Sequence, residues 1–363
     1  MTSCRSTFVP IERDNHERSD SAFVEYLKNE GIPYTSNNEV VILNGAHVKF
    51  DSLFSDIRKA KHHIHLEYFN FRNDSINKVL IDLLAQKAKE GVEVRAMFDA
   101  FGNMSNDRPL KKKDLRAIRK TGIEIVKFDP ISFPWINHVF SRDHRKIAVI
   151  DGKIGYIGGI NVADYYLNGI EGVGEWRDMH SKIEGEAVNE LQKIFLDMWY
   201  EETGERIDGE SYYPSHTIKS GANIAVVDRW PHKTPSRIRD VYANAIYSAK
   251  DSIILISPYF VPMPKVRKAL EDALDDGVKV TLVLSEKGDI PMIPDGVWRV
   301  AYQLMKRGAE VYMYTGGFNH SKVMCVDASF CTIGSANLNS RSLMYDYETN
   351  VFVFGKEDTD ELY

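Results

Sequence analysis

Two stretches of the same pattern decide the fold of this chain, HRKIAVID at residues 144–151 and HSKVMCVD at residues 320–327. In both, a lysine follows the histidine by two positions and an aspartate follows it by seven. A turn of small residues then carries an asparagine, in GGIN at residues 158–161 and in GSAN at residues 334–337. Two copies in one register are hard to produce by chance, so the sequence predicts one structural unit that occurs twice.

The repeat extends well beyond these motifs. In each half a strand-like run precedes an amphipathic helix that ends at a glycine, Gly91 in the first half and Gly277 in the second. A second helix ends at Gly122 or at Gly308, and another β-branched strand follows it. Glycine after a periodic apolar stretch is a helix stop signal, and strands alternating with such helices are typical of α/β folds. We predict an α/β fold of two lobes related by a pseudo-twofold axis. Each lobe is expected to be a mostly parallel sheet flanked by helices, with one active site at the lobe interface.

The predicted boundaries of the lobes follow from where the repeat begins and ends. Residues 1–37 match nothing in the second half and are expected to form an N-terminal arm. The first lobe is predicted over residues 38–205 with the His144 motif, and the second over residues 206–363 with the His320 motif. A length of 363 residues suits two domains that each bury a core.

Composition narrows the class of protein. Hydrophobic residues make up 43% of the chain and charged residues 27%, as in ordinary globular proteins. The formal net charge of −6 disfavours a polycation that holds nucleic acid, although a local basic groove is compatible with it. No apolar run approaches the roughly 18 residues of a membrane-spanning helix, and none is expected. The three cysteines form no disulfide framework; Cys325 and Cys331 are predicted to be buried thiols, which suits a reducing compartment.

The paired histidines, lysines and asparagines have the chemistry that attack on a phosphodiester requires. Such a reaction needs a nucleophile, an acid for the leaving alkoxide, and positive charge for the phosphate oxygens. Histidine can supply the nucleophile and the acid because its pKa lies near neutral pH. Lys146 and Lys322 are expected to neutralise the phosphate, and Asn161 and Asn337 to donate hydrogen bonds to it. No Asp/Glu cluster of metal-ligand spacing accompanies the motifs, so neither a metal nor a cofactor is expected.

The motifs, together with HHIHLEYF at residues 62–69, WRD at residues 176–178 and NLNSRS at residues 337–342, resemble the phospholipase D superfamily and, within it, bacterial cardiolipin synthases. The resemblance extends from about Glu39 to the C-terminus. It implies a phosphatidyltransferase that joins two phosphatidylglycerols into cardiolipin plus glycerol. The reaction would pass through a phosphohistidine intermediate.

The resemblance also implies roles for individual side chains. His144 would be the nucleophile, and His320 would be the acid for the leaving alcohol and then the base for the acceptor. Carboxylates downstream of each motif orient the histidine of the opposite motif in this superfamily. Glu348 would therefore hold His144, and Asp178 would hold His320.

Two further sets of polar residues have structural explanations. The motif aspartates, Asp151 and Asp327, stand beside glycine or alanine at a strand end, where we expect structural salt links. His63, His65 and Glu67 would share one face of a strand. A metal site at these three residues is the weaker hypothesis, and a polar pocket floor is the stronger one.

Two segments are candidates for contact with a membrane surface. One is an apolar and aromatic insertion ahead of the first motif, predicted to form a lipid-facing lip, with ordinary core packing as the alternative. The other is a basic helix that either binds anionic headgroups or presents a solvated face. The candidate residues are Phe133, Trp135, Ile136 and Phe140 in the insertion, and Lys112, Lys113 and Arg116 on the helix.

Two other functions are compatible with the motifs. Water as the acceptor would make the protein a phospholipase D or a nuclease, and a catalytically silent lipid-binding scaffold is a weaker alternative because the motif residues are complete. An acidic chain with an apolar loop near the site favours lipid over nucleic acid. The expected partners are phosphatidylglycerol and a membrane surface, at the periphery of the bacterial cytoplasmic membrane. The oligomeric state is not predicted.

Overall fold

The computed structural model describes residues 18–130, 140–218, 221–289 and 293–355. Its helices are α1 (Asp20–Asn29), α2 (Ala46–Lys59), α3 (Ser75–Lys89), α4 (Ala100–Ser105), α5 (Lys112–Arg119), α6 (Tyr165–Asn168), α7 (Ala187–Thr203), α8 (Arg237–Ser248), α9 (Pro264–Asp275), α10 (Ile293–Met305) and α11 (Ser340–Met344). Its strands are β1 (Tyr34–Asn44), β2 (His63–Tyr68), β3 (Glu93–Asp99), β4 (Glu124–Phe128), β5 (Lys146–Ile150), β6 (Ile154–Gly158), β7 (Glu175–Arg177), β8 (Met179–Gly185), β9 (Ala222–Arg229), β10 (Ser252–Ile256), β11 (Lys279–Ser285), β12 (Glu310–Tyr314), β13 (Gly317–Asn319), β14 (Val323–Val326), β15 (Phe330–Gly334) and β16 (Glu348–Phe354).

One continuous sheet runs through both halves of the described chain. Its order is β12-β11-β10-β14-β15-β16-β9-β1-β8-β6-β5-β2-β3-β4. Read outward from the central pair, β1-β8-β6-β5-β2-β3-β4 has the same connectivity as β9-β16-β15-β14-β10-β11-β12. Strands β1 and β9 pair antiparallel, with Tyr34 opposite Ala225 and Thr35 opposite Ile224. The pseudo-twofold axis therefore passes between β1 and β9, which agrees with the predicted two-lobe α/β fold.

Strand direction corrects the prediction that each lobe is mostly parallel. In the continuous sheet of the described residues, only the outer strands are parallel, β2–β3–β4 in the first lobe and β10–β11–β12 in the second. The strands that follow the motif histidines form antiparallel hairpins, β5–β6 and β14–β15. A short turn can connect only antiparallel neighbours, whereas parallel neighbours need a long crossover such as a helix. Helix α3 is such a crossover between β2 and β3, and helix α9 is its counterpart between β10 and β11.

The motif aspartates hold the ends of these hairpins. Asp151 and Asp327 occupy the left-handed region, with φ of 54° and 52°. The Asp151 carboxylate accepts hydrogen bonds from the backbone N–H groups of residues 61–63 at 2.7–3.1 Å. The Asp327 carboxylate accepts equivalent bonds from residues 250–252 at 2.6–2.8 Å. The expected salt links are therefore wrong, because the partners of both carboxylates are backbone amides.

The chain ahead of the first lobe packs against the second. Phe23 and Leu27 of α1 are buried in the core of the second lobe, where the ring centroids of Phe23 and Phe330 lie 5.0 Å apart. Strand β1 begins at Tyr34, inside the range predicted to be an arm. The predicted lobe boundaries stay predictions, and residues 1–17 lie outside the described part of the chain.

The histidines of β2 lie in the interior below helix α7 rather than on a pocket floor, which corrects that prediction. The Nε2 group of His63 donates to the Gln192 side-chain oxygen at 3.1 Å, and the Gln192 amide donates to Nδ1 of His65 at 2.9 Å. The His65 ring stacks on Phe195 with centroids 4.4 Å apart. Within the described ranges, no group of three or more His, Cys, Asp or Glu side chains is placed to hold a metal ion.

The cysteines of β14 and β15 correct a further prediction. Cys325 and Cys331 are direct partners across the antiparallel pair, with Cα atoms 4.1 Å apart, and their sulfur atoms form a disulfide. The prediction of two buried thiols is therefore wrong. Residues that face each other across two strands bring their side chains together. The sequence does not show that Cys325 and Cys331 face each other, because that pairing depends on how the hairpin folds.

Candidate active site

The two motifs enter the sheet at the junction of the lobes. His144 and His320 stand just ahead of the hairpin strands β5 and β14. The backbone N–H of His144 donates to the carbonyl of Tyr347 at 3.0 Å, and that of His320 donates to the carbonyl of Arg177 at 2.6 Å. Tyr347 and Arg177 each immediately precede a carboxylate of the opposite half. The main chain itself therefore brings each motif to the partner lobe's carboxylate.

Each histidine is held by a carboxylate from the other lobe. Nδ1 of His144 donates to the Glu348 carboxylate, at 3.0 and 3.2 Å from its two oxygens. Nδ1 of His320 donates to Oδ2 of Asp178 at 2.6 Å. These are the contacts that the family resemblance implies. A proton held on Nδ1 by the carboxylate leaves Nε2 as the nitrogen with a free lone pair.

The motif lysines are buried beside the histidines. Nζ of Lys146 donates to the carbonyl of His144, and Nζ of Lys322 donates to the carbonyl of His320. Burial lowers the pKa of Lys146 to about 7 and that of Lys322 to about 8. Besides burial, the charge of Lys322 lowers the pKa of His144, and the charge of Lys146 lowers the pKa of His320. The lysine of each motif therefore lies within electrostatic range of the histidine of the other motif.

Burial sets the protonation of the imidazoles. It lowers the pKa of His320 to about 3, and it also lowers the pKa of His144, where Glu348 opposes the effect. The side chain of His144 is 15% exposed, and that of His320 is 8% exposed. Both lowered pKa values favour the neutral form of the rings near pH 7. The negative charge of a phosphodiester bound here would raise the pKa of a neighbouring imidazole.

The motif asparagines have unused hydrogen-bonding capacity. Nδ2 of Asn161 donates to the hydroxyl of Tyr166 at 3.0 Å. Among the described residues, the buried Oδ1 atoms of Asn161 and Asn337 have no hydrogen-bond partner. A half-turn of the Asn161 amide would let Tyr166 donate to Oδ1 and would free the NH₂ group for a ligand. Their assignment as phosphate donors stays a prediction.

An aromatic cage surrounds His320, and sequence reasoning missed it. The cage residues come from both lobes, and Trp176 and Phe318 pair across the small parallel sheet β7–β13. The ring centroids of the four cage residues lie 5.4–6.1 Å from the centroid of the His320 ring. The cage consists of Trp176, Phe318, Tyr166 and Tyr259. Trp176 lies in the quoted WRD motif, but nothing in the sequence spacing marks the other three.

The second residue of each small-residue turn differs between the lobes. The hydroxyl of Ser335 donates to the second oxygen of Glu348. Gly159 occupies the equivalent position in the first lobe, where an added Cβ would lie 2.2 Å from Oδ1 of Asp178. The longer carboxylate, Glu348, thus accepts a hydrogen bond from a hydroxyl group of the second lobe. The shorter carboxylate, Asp178, packs against the backbone of a glycine in the first lobe. The contrast between GSAN and GGIN was the signal in the sequence from which this difference between the lobes could have been predicted.

A buried charge network joins the lobes beneath the first motif, and it was also missed. The Arg145 guanidinium lies 2.6 Å from Asp228, 2.9 Å from the Thr349 hydroxyl and 3.4 Å from Glu67. Burial raises the pKa of Asp143 to about 6, although Arg145 opposes this effect. The buried charges of this network come from both lobes. Separation of the lobes would therefore leave buried charged groups without their partners.

The predicted membrane contacts have different outcomes. Phe133, Trp135 and Ile136 lie outside the described residues. Phe140 is 63% exposed, and its ring centroid lies 6.2 Å from that of Tyr345, which is itself 43% exposed. On α5, which packs inward through other residues, the predicted basic side chains are exposed. They are Lys112, Lys113 and Arg116. Their contact with headgroups stays a prediction, and no helix in the described ranges has the length and apolarity to cross a bilayer.

Comparison with known proteins agrees with this geometry. The chain matches the family described as "Cardiolipin synthase, PLD-like domain" over residues 53–199 and 242–363. The chain belongs to this family. It is 35% identical over 361 residues to the cardiolipin synthase of Listeria monocytogenes, covering 99% of this chain and 74% of the relative. It is also 35% identical over 370 residues to that of Oceanobacillus iheyensis, covering 99% of this chain and 76% of the relative.

A solved structure supports the fold independently. The crystal structure of phosphatidylserine synthase from Haemophilus influenzae superposes with a TM-score of 0.73 at 14% identity, covering 94% of this chain and 88% of that chain. At this identity the likeness shows the fold alone. Together with the family match, it confirms the predicted two-lobe fold and a cardiolipin synthase-like enzyme of the phospholipase D superfamily.

Proposed function

We propose that this protein transfers a phosphatidyl group from one phosphatidylglycerol to the hydroxyl of a second, giving cardiolipin and glycerol. One observation carries the proposal: two histidines are each held at Nδ1 by a carboxylate of the opposite lobe, and each stands beside the buried lysine of its own motif. That arrangement provides a nucleophile and an acid on one phosphate, with positive charge for its oxygens.

The first half-reaction forms the phosphohistidine. The lone pair on Nε2 of His144 attacks phosphorus, and the bond from phosphorus to the headgroup glycerol oxygen breaks. The departing oxygen takes the proton from His320 and leaves as glycerol. Lys146 and Lys322 stabilise the charge on the phosphate oxygens, where loss of one such donor typically costs about 2.7–4 kcal/mol of transition-state stabilisation.

The second half-reaction returns the enzyme to its starting state. A hydroxyl of the second phosphatidylglycerol gives its proton to His320 and attacks phosphorus. The phosphorus–nitrogen bond to His144 breaks, and cardiolipin leaves. The same steps with water as acceptor would give phosphatidic acid, so the identity of the acceptor alone separates transfer from hydrolysis.

The place of the reaction follows from the substrate. Phosphatidylglycerol resides in a bilayer, so the enzyme must work at a membrane surface, which we infer to be the bacterial cytoplasmic membrane. We infer peripheral attachment of the described domain, through its surface rather than through a spanning helix of its own.

Product analysis tests the proposal. Incubation with phosphatidylglycerol liposomes should yield cardiolipin and glycerol by mass spectrometry. Phosphatidic acid without cardiolipin would identify a hydrolase, and the absence of any product would identify a scaffold. Rapid quenching should trap phosphate on a histidine in the wild type but not in His144→Ala. The exposed His232 supplies a control, since His232→Ala should keep wild-type turnover. Full activity of His144→Ala would refute the mechanism.

A further inference from the structure

Helix α10 presents an apolar stripe to solvent. Trp298, Tyr302 and Met305 follow one another at spacings of four and three residues, which places them on one helical face. Their side chains are 41%, 55% and 43% exposed. The neighbouring face packs into the core of the second lobe. That buried face consists of Val297, Ala301 and Leu304. The core therefore accounts for the buried face of this helix but not for the exposed stripe.

The stripe is continuous with the site. Trp298 lines a cleft together with Tyr259 and Phe318. Tyr259 and Phe318 belong to the aromatic cage, with ring centroids 6.1 and 5.8 Å from that of His320. Val261, which is 40% exposed, lies on the loop next to Tyr259. An aromatic and apolar surface thus runs from the outside of α10 to the catalytic histidine of the second lobe.

Basic side chains flank the stripe. Arg299 and Lys306 are exposed and are spaced seven residues apart, on the solvent side of the helix. Nζ of Lys306 lies 4.5 Å from the centroid of the Tyr302 ring. One exposed carboxylate, Asp295, lies in the first turn. Aromatic rings beside lysine and arginine are the composition of helices that lie in the interface of an anionic membrane.

We propose that the stripe Trp298, Tyr302 and Met305 seats the second lobe in the surface of a bilayer that contains anionic phospholipid. This inference rests on the phosphatidyl transfer proposed above, because it places the mouth of the cleft where the substrate headgroup lies. A lipid can then reach His320 along the apolar surface while its acyl chains stay in the membrane. A second copy of the chain fits less well, since three partly exposed side chains supply little of the roughly 800 Å² per partner that a stable interface buries.

The test replaces the part of the stripe that is farthest from the cleft. The double variant Tyr302→Ser plus Met305→Ser is compared with the wild type by sedimentation with vesicles of phosphatidylcholine and phosphatidylglycerol. Tyr312→Ser is the matched control, because Tyr312 is 56% exposed on β12, where the adjacent Val311 and Met313 pack toward the core. We expect about ten-fold weaker vesicle binding for the double variant and no change for the control.

A second measurement separates this inference from the proposed function. Turnover of short-chain phosphatidylglycerol, kept below its micellar concentration, should be the same in the double variant and the wild type. Unchanged vesicle binding by the double variant would overturn the docking surface even if the enzyme makes cardiolipin. A shift from dimer to monomer with unchanged vesicle binding would overturn it too, in favour of self-association. Absence of turnover by the wild type on both substrates would overturn the proposed function, while sedimentation still reports on the stripe.

Discussion

At the scale of single residues, the two histidines differ in how their carboxylates are supported. Glu348 receives a hydrogen bond from the hydroxyl of Ser335, whereas Asp178 lies against the bare backbone of Gly159. Asp178 also accepts a bond from the backbone N–H of Met179 at 2.8 Å. The pseudo-symmetric lobes thus reach the same contact by two local solutions, and each solution can be tested separately.

Ser335→Ala should lower kcat about ten-fold with a small change in KM. The hydroxyl donates to a buried charged carboxylate, and such bonds contribute roughly 1.5–3 kcal/mol. Because Glu348 raises the pKa of His144 against burial, a misplaced carboxylate should also move the acid limb of the pH profile. Ser329→Ala in the neighbouring hairpin turn is the control. Wild-type kcat and an unchanged profile would argue against a positioning role for Ser335.

Gly159→Ala should remove at least about 99% of the activity while the protein stays folded. The new Cβ would lie 2.2 and 2.5 Å from the two oxygens of Asp178, so this carboxylate must move away from His320. Loss of the group that holds a catalytic imidazole costs several orders of magnitude in comparable sites. Gly296→Ala is the matched control, since its nearest neighbour would be 3.9 Å away. Normal turnover of Gly159→Ala would mean that Asp178 does not orient His320.

The buried lysines predict the alkaline limb of the pH profile. A lysine whose pKa is lowered carries its charge only below the lowered value, which is about 7 for Lys146 and about 8 for Lys322. The kcat/KM for short-chain phosphatidylglycerol should therefore fall as pH rises through 7–8. The limb should move to higher pH in Lys146→Arg, because guanidinium stays protonated. A profile that is flat to pH 10 would show that the lysine charges are dispensable.

At the scale of secondary-structure elements, the hairpins are the units that deliver the motif residues. Each hairpin end is held by the aspartate of its own motif, which accepts backbone hydrogen bonds from the segment that leads into β2 or β10. Histidine and lysine two positions apart lie on the same face of an extended segment, which explains the spacing within each motif. The aspartate, seven positions after the histidine, lies just past the end of the strand, where it closes the turn. Each motif thus combines residues of the proposed site with an aspartate that has a structural role.

Asp151→Ala should destabilise the protein by roughly 2–4 kcal/mol in urea unfolding. The substitution leaves the amides of residues 61–63 without their acceptor and places alanine at a φ of 54°. Asp151→Asn should cost less, because the amide oxygen still accepts and asparagine tolerates this conformation. The folded fraction of either variant should keep its turnover number. An unchanged unfolding midpoint for the alanine variant would contradict the structural role.

At the scale of the whole molecule, the lobes act as one body because the sheet continues across the β1–β9 junction and a buried charge network lies at the site. The proposed active site lies at this junction, since each histidine is held by a carboxylate of the opposite lobe. Domain stability and catalytic geometry therefore depend on the same interface.

Arg145→Met should destabilise the protein by about 3–5 kcal/mol and reduce kcat as well. Removing the guanidinium leaves the carboxylates of Asp228 and Glu67 without their buried cation. Arg58→Met, at an exposed position of α2, is the control for loss of an arginine. Unfolding in urea checks the stability, and turnover of short-chain phosphatidylglycerol checks the site. Equal stability of the two variants would contradict a joining role for Arg145.

The sequence by itself determined the repeat, the two-lobe α/β fold, the family and the identity of the paired motif residues. These follow from spacing along the chain, which strand and helix geometry translate directly into shared faces. Strand direction, the Cys325–Cys331 disulfide, the aromatic cage and the Arg145 network were decided only by the tertiary structure. Each of these depends on contacts between segments whose relative position is set by packing, and so do the shifted pKa values of the site.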